Sequence, residues 1–130
     1  MDEIKGLCQR ATEYLESAQL LINFKDFNSA VSRSYYAMFY MTQACLLSQN
    51  ISVSTHKGNA TKFFEIFVKT GIFPTTFSRD LSNAMDKRSR GDYEIFTLID
   101  LELAQNQLDT ARNFCTTLKN YLLENEFLNN

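Results

Sequence analysis

Apolar residues recur every three or four positions along most of this chain, and the interruptions divide it into five segments. From 2 to 23, Ile4, Leu7, Cys8, Ala11, Tyr14, Leu15, Ala18, Leu21 and Ile22 share one face and predict an amphipathic helix. Lys25-Asp26-Phe27-Asn28 reads as a turn, with Asp26 or Asn28 as the N-cap of a second helix over 28–48. So short a turn makes the two helices antiparallel neighbours. The polar connector 49–54 leads to Ser54 or Thr55, a cap for a third helix reaching 69, with Ala60, Phe63, Phe64, Ile66, Phe67 and Val68 as its apolar set. Gly71 fits a C-cap and Pro74 a stop.

A fourth helix over 75–87 turns Phe77, Leu81, Ala84 and Met85 inward, and a basic loop, Lys87-Arg88-Ser89-Arg90-Gly91-Asp92-Tyr93, follows it. The last helix is predicted over 98–127, where Leu101, Ala104, Leu108, Ala111, Cys115, Leu118 and Leu122 alternate steps of three and four as a heptad seam. Five amphipathic helices with short connections predict an all-α, antiparallel up-and-down bundle. The aromatic run Phe63, Phe64, Phe67 spreads more than half way round its helix, so one side of it is a candidate face for a second chain.

Composition narrows the class. With 130 residues, one proline and four glycines, the chain predicts a single helical domain over 1–130, long enough to bury its own core. A net charge of −2 provides no global field for nucleic acid or an anionic membrane, so any RNA binding must come from a local cluster or a dimer seam. The absence of a long apolar run and of a signal-peptide pattern predicts a cytoplasmic protein with no membrane partner. Cys8, Cys45 and Cys115 sit at apolar helical positions and read as buried, reduced thiols. One histidine and no CxxC exclude a zinc set, so neither a metal nor a cofactor is expected.

The second helix carries the candidate chemistry. In Ala30-Val31-Ser32-Arg33-Ser34-Tyr35-Tyr36-Ala37-Met38-Phe39-Tyr40, helical spacing lines up Arg33, Tyr36, Ala37 and Tyr40 as a ridge of one cation and two phenols, with Val31, Tyr35, Met38, Phe39 and Thr42 on the core side. Arg33 has the fork geometry for phosphate, or serves as a structural arginine paired with Asp92 or Glu94. Tyr36 and Tyr40 read as core or interface phenols, or as stacking platforms for single-stranded RNA beside Lys87, Arg88 and Arg90.

The block from Ala30 to Tyr40, the later Ser54-Thr55-His56-Lys57-Gly58-Asn59-Ala60, the Arg90-Gly91-Asp92-Tyr93 tetrapeptide and the long final helix together resemble the HEPN (higher eukaryotes and prokaryotes nucleotide-binding) domain family in its stand-alone prokaryotic form. The resemblance spans essentially the whole chain. It implies a dimerising helical bundle, a metal-independent endoribonuclease in the active members, and a toxin–antitoxin pair whose other half is a minimal nucleotidyltransferase. It also implies that an arginine followed four to six residues later by a histidine does the cutting, two such pairs meeting in the dimer cleft.

Arg33 matches that arginine, but the position that should be histidine holds Tyr40. Metal-free cleavage needs a base for the 2′-hydroxyl and an acid for the leaving oxygen, roles an imidazole fills near neutral pH. A phenol, with a reference pKa of about 10, is a poor base that can still hydrogen-bond or donate a proton. The expected function is therefore a HEPN-type toxin or RNase-like protein with weak or absent cleavage; the alternative is a non-catalytic nucleotide- or partner-binding module. Arg33, Tyr40 and His56, the last as a substitute imidazole at the start of the third helix, are the candidate catalytic residues. Tyr36, Lys87, Arg88, Arg90, Asp92 and Tyr93 are the candidate nucleotide- or RNA-binding residues. Tyr40 and Tyr93 are also candidate acceptors of a nucleotide from the partner enzyme, a modification used in related systems. A helical-repeat scaffold is a third reading, against which the lack of a 34-residue period counts.

Overall fold

Local sequence signals place the helix starts. The computed structural model describes residues 2–93 and 98–129, with the side chains of 90–93 outside that description. The first helix, α1, spans Asp2–Asn23, and α2 spans Phe27–Ser48. Between them Lys25 takes the left-handed conformation, φ 65°. The Asp26 carboxylate accepts from the Ser29 amide at 3.2 Å, a cap typically contributing about 1 kcal/mol. A third helix, α3, covers His56–Phe63, α4 covers Thr75–Tyr93 and α5 covers Leu101–Glu124. No strand occurs among the described residues, so the fold is the expected all-α bundle.

The α1–α2 hairpin is the spine: α5 packs against both of its helices and α4 against α2. The main core gathers Ile4, Cys8, Ala11, Met38, Met41, Cys45, Phe63, Phe67, Phe114 and Leu118 from four helices. A smaller cluster of Ala18, Ile22, Ala30, Val31, Ile99, Ala104 and Leu108 closes the other end. The three cysteines are free and buried, as their positions predict. The Cys8 thiol lies 3.7 Å from the Met41 sulfur. No described helix is long and apolar enough to cross a membrane.

Three expectations need correction. The third helix is not continuous to 69: α3 gives way at Phe64–Val68 to a π-helical turn, in which the Lys69 amide reaches back to the Phe64 carbonyl at 2.8 Å. The widened turn keeps Phe63 and Phe67 fully buried and leaves Phe64 44% exposed, so the aromatic run spreads round the helix as its spacing predicts. Gly71, at φ +83°, then reverses the chain where a Cβ would be strained. The segment Lys87–Tyr93 is the last part of α4 rather than a loop, since a lone Gly91 does not stop a helix already under way. Leu98 precedes α5, whose N-cap is Asp100, and is 89% exposed; Leu101, taken for the first seam position, is 55% exposed. From Ala104 to Leu122 the seam is buried, and Phe114 joins it.

Candidate nucleic-acid interface

The side of α2 that turns away from the core carries the organising residues. Val31, Tyr35, Met38, Phe39 and Thr42 are buried, as the spacing predicts, and so is Ala37, which leaves Arg33, Tyr36 and Tyr40 as the ridge that reaches the surface. Arg33 is exposed, Tyr36 and Tyr40 half-buried. Arg33 is not buried as a structural arginine would be; Asp92 and Glu94, the partners suggested for it, lie outside the described side chains.

Arg33 and Tyr40 are joined by a residue of α1. The Tyr14 ring lies 5.5 Å from Tyr40, stacked at 15°, and 6.0 Å from Tyr36, while Tyr36 and Tyr40 are 6.2 Å apart. These three phenols form one continuous field of rings. An arginine lies over each: Arg33 5.2 Å from the Tyr14 centroid, Arg10 5.4 Å from Tyr40 and Arg88 5.3 Å from Tyr36. Each such contact contributes about 0.5–1 kcal/mol at a partly exposed site. Beside the field, Arg10, Glu13, Tyr14, Ser17 and Arg33 line an open groove of about 420 Å³. Two guanidinium groups against one carboxylate leave that groove cationic.

Arg88 ties α4 into the field, its Nη2 donating to the Tyr36 hydroxyl at 2.9 Å. Because α4 continues past Lys87, Arg88 is held on a regular helix rather than on a loop. Lys87 is half-buried beside it in sequence. The side chains of Arg90, Asp92 and Tyr93 lie outside the described residues.

His56 opens α3, held there by local chemistry. The Thr55 hydroxyl accepts from the Gly58 amide at 3.0 Å. A Cβ on Gly58 would come within 2.6 Å of that hydroxyl and 2.7 Å of the Val53 side chain, so only glycine fits beneath the cap. Buried Asn59 donates to Thr42 at 2.5 Å, and Thr42 to the Phe39 carbonyl at 2.7 Å, tying α3 to α2. The imidazole packs 4.5 Å from the Phe39 ring and 5.8 Å from Tyr36. Its Nδ1 lies 2.6 Å from the Tyr35 hydroxyl. Burial lowers the His56 pKa and the Arg88 charge lowers it further, so the cation acting on His56 is Arg88 and not Arg33.

The sequence reading did not single out Arg10, and it placed Tyr14 on the apolar face of the first helix. The signal was present: Arg10 and Tyr14 stand four apart on α1, and Arg33 and Tyr40 seven apart on its antiparallel neighbour, so a tight hairpin brings both pairs onto one surface.

The profile of the HEPN domain matches residues 4–121. A protein of Methanocaldococcus jannaschii named "Putative toxin MJ0142" is 31% identical over 126 residues, covering 97% of this chain and 86% of its own length. A second protein of that organism, "Putative toxin MJ0605", is 30% identical over 123 residues, covering 95% and 91%. A UPF0332 protein of Thermotoga maritima is 32% identical over 111 residues, covering 85% and 84%. With nearly the whole chain matched, its helices in the order the resemblance implies, and the arginine–tyrosine ridge on α2, this protein belongs to the HEPN domain family.

Proposed function

We propose that the chain is a cytoplasmic HEPN toxin-like protein that binds single-stranded RNA as a homodimer and is held in check by a minimal nucleotidyltransferase. The observation that carries this is the field of Tyr14, Tyr36 and Tyr40, each ring under an arginine. Phosphates need cations and unpaired bases need aromatic rings, and here three half-buried phenols stand beside three guanidinium groups. The names of the two Methanocaldococcus relatives favour the toxin reading over a passive scaffold.

Arg33 binds a phosphate, and Tyr40, one ring away across Tyr14, occupies the place of the family's histidine. A phenol stacked on Tyr14 and lying beneath Arg10 is positioned to hydrogen-bond and to donate, where the family's active members have an imidazole. The reading is therefore RNA binding with weak or no cleavage.

The test uses purified protein and a fluorescent single-stranded RNA. Binding should weaken on Arg33→Ala and tighten with falling salt; RNA binding indifferent to both Arg33→Ala and salt overturns the assignment. Tyr40→His should bring cleavage without added metal, and adding Arg33→Ala to it should abolish that cleavage.

A further inference from the structure

The contact between Tyr35 and His56 lies under the ring field, and its chemistry fixes what the imidazole can do. Tyr35 is 1% exposed, and a buried phenolic proton needs an acceptor. Among the described residues, the acceptor at hydrogen-bonding distance is His56 Nδ1, 2.6 Å away. Burial raises the Tyr35 pKa, so the phenol keeps its proton and donates it. Nδ1 is then an acceptor, and the ring proton of the neutral imidazole sits on Nε2.

That Nε2–H has no hydrogen-bond partner among the described residues, and the ring carrying it is half-buried. The imidazole is fixed in place by Phe39 at 4.5 Å, Tyr35 at 5.5 Å and Tyr36 at 5.8 Å. Next to it, the Tyr36 hydroxyl accepts from Arg88, which leaves the hydroxyl's own proton to donate. The imidazole N–H thus stands beside the Tyr36 ring at the α2–α3 junction, within the field of the Arg88 charge. A fixed N–H donor in a cationic field suits a phosphate oxygen.

We infer that His56 is a phosphate-binding residue that acts through Nε2–H as a neutral hydrogen-bond donor, its tautomer set by Tyr35. The inference rests on the phosphate-binding reading above and deepens it. It also assigns His56 away from general-base duty: a lone pair on Nε2 would require the proton to move to Nδ1, leaving the buried Tyr35 proton without its acceptor.

With one histidine in the chain, a proton–nitrogen correlation spectrum shows a single imidazole and needs no assignment. The spectrum at pH 7.5 should show the Nε2–H form. Its Nε2 signal should shift on addition of oligouridylate RNA, of ATP, or of both, the responding arm naming the source of the phosphate. Tyr35→Phe should mix the two tautomers. His56→Ala should weaken RNA binding about tenfold. His56→Gln, which keeps an N–H donor but no base, should recover most of that loss. An Nδ1–H form in the wild-type protein, or an unmoved Nε2 signal while anisotropy reports bound RNA or ATP, overturns the donor role alone. An absence of any RNA or ATP binding overturns it together with the reading it rests on.

Discussion

Two aromatic clusters occur in this bundle, one mostly of phenylalanines with half-buried Tyr121 at its edge, the other mostly of tyrosines with Phe39 packed against it. Around α3, α4 and α5, Phe63, Phe67, Phe73, Phe77 and Phe114 pack ring against ring at 5.0–6.0 Å with all five buried. Around α1 and the outer side of α2, Tyr14, Tyr36 and Tyr40 meet at nearly the same distances, 5.5–6.2 Å, but stay half-buried and lie under arginines. Ring packing alone therefore does not tell core from surface. The hydroxyl and the overlying cation do: the first keeps one edge compatible with water, and the second keeps a face attractive to anions.

The sharpest way to break this division is to cut into each cluster separately. Phe114→Ala should cost about 3–5 kcal/mol in urea unfolding, because it empties a fully buried site, while leaving RNA affinity intact below the melting transition. Gly58→Ala should cost about 1–3 kcal/mol by overpacking Thr55 and Val53, and it should displace the His56 resonances at the same time. Arg33→Ala should do the reverse of Phe114→Ala. RNA affinity should fall about tenfold with a shallower salt dependence, and stability should stay within about 0.5 kcal/mol of wild type.

A smaller effect comes from pH. The His56 pKa is lower in the folded protein than in the unfolded chain, so the unfolded chain takes up the proton first on acidification. The stability this represents is complete above pH ~6.5 and is lost as pH falls towards the folded value. The urea midpoint of the wild-type protein should therefore drop between pH 7 and pH 5 by more than that of His56→Gln. Smallest of all, Tyr14→Phe keeps the ring under Arg33 and should change RNA affinity by no more than about twofold, since stacking uses the face rather than the hydroxyl.

Much of the fold was legible because helical periodicity and caps are local. The α1 face, the Asp26 and Thr55 caps, the Gly71 reversal and the seam from Ala104 onward all follow from residues within a turn or two of one another. The π-turn was not legible, since Phe64–Val68 reads as ordinary helix and only packing Phe63, Phe67 and Phe73 together widens it. Of the candidate site, the α2 ridge could be read, because it is one helix. Arg10 and Tyr14 could be reached only by folding the hairpin, and the bond between Tyr35 and His56 only by docking α3 onto α2. Tyr40 shows the limit of reading by family pattern: the sequence gives the exchange of phenol for imidazole, and the stack on Tyr14 gives that phenol its setting.

The turn at Lys25 has a further consequence. Arg10 and Tyr14 come from the strap before it, Arg33 and Tyr40 from the strap after it, and the groove opens between them. Whatever spans both straps staples the hairpin that α4 and α5 pack upon, so occupancy and folding are thermodynamically linked. A ligand here would act as a pharmacological chaperone, raising the melting temperature in proportion to the logarithm of its concentration.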